Sequence, residues 1–207
     1  MKSYYENYVS AFRAALAALE VTDKKATMLD PESAFAELCK RTHELHQSGR
    51  TQFMCGNGAS AALSNHMALD WSKNAGVRTM SFSDSAIITA LGNDIGYDEV
   101  FATPLRWYGQ TGDQLVTISS SGNSPNILRA IETARKLGLS VITLSGLRPD
   151  NKSRKLGDLN FYVPAKTYGI VESIHQVLLH LCIDRFMGIK EWARDEEQNM
   201  RKSEFKL

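Results

Sequence analysis

Five short apolar runs, spaced so that a helix fits between most of them, constrain this chain more than any other feature. They are QFMCG (52–56), RTMSF (78–82), QLVTIS (114–119), SVITLS (140–145) and LNFYV (159–163). Most are continuous rather than alternating, as expected of strands buried on both faces of a parallel sheet. Residues 60–74 carry Ala62, His66, Met67, Leu69 and Asp70 at helical spacing. Residues 124–137 carry Ile127, Ile131 and Ala134, and Gly138 is the expected left-handed stop. Two helices are expected before the first strand, near 3–20 and 31–48, joined by the polar stretch VTDKKATMLDP. GIVESIHQVLLHLCIDRFMG reads as an amphipathic helix after the last strand, and the charged tail IKEWARDEEQNMRKSEFKL follows it. The alternation predicts a doubly wound α/β sandwich, entered and left by helices. In such a sheet ligands sit beyond the carboxyl ends of the strands.

Composition removes several function classes. A net charge of +1 over 207 residues gives no electrostatic case for nucleic acid or an acidic membrane. The apolar runs fall well short of the ~20 residues that span a bilayer. The opening MKSYYENYVSAFRAALAALE mixes charged and apolar residues at helical spacing, unlike a secretory signal. Cys39, Cys55 and Cys182 are odd in number and lack CxxC spacing, which argues for a reducing, cytoplasmic setting.

Two strand-to-helix junctions resemble each other: CGNGASAALSNH (55–66) and SSSGNSPNIL (119–128). Each sets Gly, Asn and Ser at a helix start, where backbone N–H groups lack partners and the macrodipole is positive. Pro125 falls where the first helical turn should be, and its missing N–H costs nothing there. Ser and Asn are good N-caps in any case, so plain capping is the competing account. Four serines around a Gly-Asn pair favour a phosphate cradle. Neither stretch is a Walker A loop, and G-N-G-A-S is not the dinucleotide fingerprint. A phosphorylated small molecule is the expected ligand.

Chemistry needs more than an anion cradle. His66 and Asp70 are spaced i, i+4 and project from one helix face. VESIHQVLLH places Glu172, His175 and His180 on the last large helix. Imidazole and carboxylate at such spacing bind Zn²⁺ or a similar ion, or move protons. Glu172 and His180 are eight residues apart, about 12 Å of helix rise, so by geometry His175 is as good a candidate as His180. His43 and His46 read as surface or packing residues.

CGNGAS, HMALD, LGNDIGYDEVF, GDQLVTISSSGNSPNILRAI, VITLSG and VESIHQVLLH, in that order, resemble the sugar isomerase (SIS) family and within it the phosphoheptose isomerases. The likeness runs from about residue 30 to 186. It implies a five-stranded parallel sheet sandwiched by helices, Rossmann-like, with N-terminal helices (1–50) packing in a homotetramer and a SIS domain (51–188); the charged C-terminal helical tail (189–207) extends beyond the family pattern. It assigns substrate contacts to Asn57, Gly58, Ala59 and Ser60, sugar contacts to Asn93 and Asp94, and phosphate contacts to Ser119, Ser120, Ser121 and Ser124. The family's metal positions fall on His66, Asp70, Glu172 and His180, with one Zn²⁺ per subunit; Asp70 and Glu172 also fall at substrate-contact positions. Here Asp replaces the family's Glu and Glu its Gln, so Asp70 is one methylene shorter while Glu172 adds charge. His180, Asp70 and Glu172 are the implied catalytic groups. The implied reaction converts sedoheptulose 7-phosphate to D-glycero-D-manno-heptose 7-phosphate, for heptose of lipopolysaccharide, capsule or S-layer. GLRPDNKSRKLG, after the fourth strand, replaces the family's Gly-rich loop; it either alters the site at the substrate's far end or is a surface loop, the latter being favoured. Three alternatives stand beside this: a non-catalytic tetramer that binds another protein, a sugar-phosphate sensor, and an isomerase of a different phosphosugar.

Overall fold

The computed structural model describes residues 3–193. Its single sheet has seven strands in the order β2-β1-β7-β6-β5-β3-β4. The strands are β1 (Glu20–Asp23), β2 (Met28–Leu29), β3 (Gln52–Gly56), β4 (Thr79–Ser81), β5 (Gln114–Ser119), β6 (Ser140–Gly146) and β7 (Leu159–Val163). Helices α1 (Tyr4–Ala17), α2 (Pro31–Gln47), α3 (Ala59–Lys73), α4 (Ser85–Asp94), α5 (Ala102–Tyr108), α6 (Pro125–Leu137) and α7 (Tyr168–Met187) flank it. The five expected strands form the parallel part, β7-β6-β5-β3-β4.

The expected count of five is corrected to seven. The stretch read as a polar connection is a hairpin, with β1 antiparallel to both β2 and β7. Only Val21 and Thr22 of β1 are buried, so the segment carries no apolar run. Its turn is made by the Asp23 carboxylate, which accepts the N–H groups of Lys25 and Thr27, both at 2.8 Å. Arg154 then fastens the hairpin to the sheet by pairing with Glu20 and stacking 4.1 Å above the Tyr162 ring.

Alternate strand residues feed two cores. Met54, Val116, Ile118, Ile142 and Leu144 face α2, α3 and α7, where Phe35, Trp71 and Leu178 meet them. Phe53, Cys55, Leu115 and Val141 face the other side, against Leu91, Leu105, Ile127 and Ile131 of α4, α5 and α6. Burial of each large side chain stabilises by roughly 1.5–3 kcal/mol. A charge at fully buried Ile127 would break the α6 seam. Among the described residues no helix is long and apolar enough to cross a membrane, and the three cysteines are free and buried.

Chain direction fixes where a ligand can sit. From β3 the chain passes to β4 on one side, then to β5 on the other, so the strand order reverses between β3 and β5. The crevice beyond their carboxyl ends is the topological switch point. Both Gly-Asn-Ser junctions open there. The tail beyond residue 193 lies outside the described residues.

Candidate active site

After β3, Gly58 stands at the head of α3 with φ 56° and ψ −124°, a conformation open to glycine alone, and no side chain caps the helix. A Cβ on Gly58 would meet nothing within 4 Å, so its backbone faces open space. Asn57 is half-buried, Gly58 and Ala59 are exposed, and Ser60 is buried in the first turn.

After β5, the turn of Ser119–Ser124 is built from its own backbone. Gly122 N–H donates to the Ser119 carbonyl at 2.9 Å, with Gly122 at φ 61°. Ser124 occupies the N-cap of α6, yet its hydroxyl makes no capping bond. The Ser120 hydroxyl is buried and has no partner among the described residues. The N–H groups of Ser121 and Ser124 likewise donate to no backbone carbonyl among the described residues. A cap that served only the helix would use Ser124. Here several donors are left over, and one of them is buried, where an unmade bond costs about 1–3 kcal/mol. Such donors fit an anion.

The two junctions are clasped together. Asn57 Nδ2 donates to Asn126 Oδ1 at 2.9 Å, and Asn126 Nδ2 returns a bond to Asn57 Oδ1 at 2.8 Å. Tyr97 adds a hydroxyl bond to Asn57 Oδ1 at 3.3 Å. The Asn57 carbonyl is thereby saturated, leaving one amide N–H to offer. Asn93 and Asp94 end α4 exposed and bond to each other at 2.8 Å; they stand on the segment that carries Tyr97.

Three side chains converge lower on the same flank, where α3 packs on α7. His66 Nε2 lies 3.3 Å from Asp70 Oδ2, and the His66 and His180 rings are 5.4 Å apart. One ligand atom from each of His66, Asp70 and His180 lies within 4.8 Å of the others. Tetrahedral ligands about 2.0–2.1 Å from zinc stand roughly 3.3–3.4 Å apart, so the His66–Asp70 spacing fits such an ion. Glu172 is not in this cluster. It is half-buried two turns nearer the helix start, with no hydrogen bond or ion pair among the described residues. His175 is fully buried on the opposite side of α7, its Nε2 3.1 Å from the Ser145 carbonyl. Burial pushes its pKa down to about 4, so it stays neutral.

Asn126 and Tyr97 escaped sequence reasoning. Asn126 had a signal: it falls four residues before Ala130 on the buried stripe of α6, where a polar side chain needs a partner. The loop of residues 147–157 is more than a surface loop, because Asn151 and Ser153 are each only 1% exposed. His43 is exposed and stacks on Phe186 at 4.0 Å.

Comparison with known proteins gives the family. The SIS domain family model matches residues 8–146, and the chain belongs to that family. A phosphoheptose isomerase of Helicobacter pylori (strain P12) is 34% identical over 179 residues, covering 81% of this chain and 93% of that protein. Another, of Rhodospirillum rubrum, is 37% identical over 146 residues, covering 68% and 77%. The structure of phosphoheptose isomerase GmhA from Neisseria gonorrhoeae superposes with a TM-score of 0.78 at 26% identity, covering 90% of this chain and 96% of that one. Within the SIS family, then, the chain belongs with the phosphoheptose isomerases and is an isomerase.

Proposed function

We propose that the protein interconverts sedoheptulose 7-phosphate and D-glycero-D-manno-heptose 7-phosphate. The observation that carries this reading is the convergence of His66, Asp70 and His180 across two helices, below a cradle with unused donors. Along α3, His66 lies eight residues beyond Gly58, about 12 Å of rise, so a substrate joining cradle to cluster needs a long carbon chain.

In this reading the serine turn anchors the phosphate and thereby positions C1 and C2. The free N–H of Asn57 orients a sugar oxygen. A proton leaves C1 of the ketose, a cis-enediol forms, and a proton is returned to C2 while the hydroxyl proton at O1 passes to O2. His180 serves one of the two carbon-proton transfers. Of the two carboxylates, Asp70 is engaged by His66 at 3.3 Å whereas Glu172 has no partner, so the other transfer is assigned to Glu172. Asp70 keeps His66 oriented and completes the cluster. His66, Asp70 and His180 would hold a divalent ion, Zn²⁺ in this reading and one per subunit, which would polarise the substrate carbonyl.

The homotetramer belongs to the same proposal. His180 borders an open groove of about 1020 Å³ walled by Phe12, Val177, Leu181 and Trp192. Tyr4, Tyr5 and Tyr8 of α1 are also exposed. Apolar surface of this kind calls for a cover, and subunits meeting there would close the groove beside His180. We place the N-terminal helices (1–50) in that assembly, around a SIS domain of 51–188. We place the enzyme in the cytoplasm, supplying heptose for surface glycans.

The test is a panel of phosphosugars assayed with and without chelator. Interconversion of the two heptose phosphates, lost on chelation and restored by Zn²⁺, is expected. Absence of turnover at any metal loading, in a correctly assembled protein, overturns the reading.

A further inference from the structure

We propose that the loop of residues 147–157 is the second wall of the anion cradle and that Lys152 supplies its cation, selecting a doubly charged phosphate monoester. The inference rests on the reading above that the serine turn holds phosphate.

Loop and turn form one packed unit. Ser153 N–H donates to the Gly122 carbonyl at 2.9 Å, and Gly146 N–H, at the loop's entry, donates to the Ser120 carbonyl at 3.1 Å. Lys152 N–H donates to Asn123 Oδ1 at 3.0 Å. Asn151 Nδ2 donates to the Arg148 carbonyl at 2.8 Å, and its Oδ1 accepts from Arg154 N–H at 3.1 Å and the Ser153 hydroxyl at 3.2 Å. Asn151 presses against Gly122 so closely that a Cβ there would lie 2.1 Å from its Oδ1. The loop also begins under strain. Leu147 has φ 58°, and Arg148 N–H bonds back to the Gly146 carbonyl at 2.7 Å, which makes a γ-turn of the rare kind. Strain of this sort persists where packing over-determines the backbone, and it gathers at ligand clamps.

The charges of the loop single out one residue. Arg148 lies 3.6 Å from Asp150, and Arg154 is paired with Glu20. Lys152 is exposed, has no ion pair among the described residues, and its backbone is fastened to a side chain of the serine turn itself. The turn offers only neutral donors, the buried Ser120 hydroxyl among them. A dianion on neutral donors keeps its charge uncompensated, and an ammonium on a flexible four-carbon stem is suited to meet it. Lys155 also lies in this loop, but its backbone N–H bonds to the Lys152 carbonyl rather than to the turn. It serves as the control.

Calorimetric titration of the full chain with inorganic phosphate, at low and high salt, tests the proposal on the wild type, Lys152→Ala, Lys152→Met and Lys155→Ala. Both Lys152 variants should bind phosphate about 5- to 20-fold more weakly, with a shallower salt dependence, while Lys155→Ala stays within about twofold. In turnover, Lys152→Ala should raise KM by a similar factor and leave kcat unchanged. Equal phosphate affinity in wild type and Lys152→Ala overturns the role of Lys152 while the serine cradle stands. Failure of the wild type to bind phosphate at all overturns both.

Discussion

His175 and His180 stand five residues apart on one helix and belong to different regions of the molecule. His175 faces the sheet, fully buried, and ties α7 to the carboxyl end of β6 through the Ser145 carbonyl. His180 faces outward beside α3, within reach of His66 and Asp70. One imidazole is held neutral by burial and the other is left partly exposed with carboxylate company. A helix displays opposite faces within a few residues, so the role of a histidine follows from its face rather than its neighbourhood in sequence.

The largest effect should come from His180→Ala: a fall in kcat of about 10²–10⁴-fold, with melting temperature and assembly nearly unchanged. A variant that lost its fold instead would dissolve the contrast. Asp70→Asn should cost about 10²-fold in activity and lower the affinity for added Zn²⁺, read by competition with a chelating dye. His175→Phe should do the reverse, destabilising by about 1–3 kcal/mol in urea while leaving kcat per folded molecule within a few-fold, because the Ser145 carbonyl loses its donor.

The acid limb sharpens the same contrast. The folded pKa of His175 is about 4, below the ordinary 6.5, so the unfolded chain binds the proton first as pH falls. Its contribution is complete above about pH 6.5 and is lost as pH falls towards 4, amounting to roughly 3 kcal/mol. His175→Gln should flatten that slope in stability curves. Wild type and variant running parallel from pH 7 to about 4.5 would contradict the assignment. The smallest effect should come from Tyr97→Phe, about a two- to fivefold rise in KM, because Asn57 keeps its bond to Asn126.

How much of this was legible follows from the kind of signal each part carries. Strands β3, β5 and β7 announce themselves as continuous apolar runs and were expected with the bounds they have. The β1–β2 hairpin was not, because a short edge segment with two buried residues has no pattern to read, and its turn rests on one aspartate. α4 and α5 also went unread, within the stretch where loop residues and helix formers mix. The His66–Asp70 pair was visible as an i, i+4 spacing. That His180 rather than His175 joins it depends on how α7 packs on α3, which no local spacing encodes. The loop after β6 looked solvated because most of its residues are polar or charged. Its polar residues Asn151 and Ser153 are buried, and they are used to build rather than to dissolve.

The paired amides of Asn57 and Asn126 have a consequence for how a guest is received. They bridge the crests of β3 and β5, so the gauge of the mouth between those strands is set before anything enters it. An incoming molecule finds a fixed span and has no freedom of the host to quench, which favours tighter capture. Replacing either amide by leucine would unlatch that span, and entry would then have to wait for the two crests to find each other.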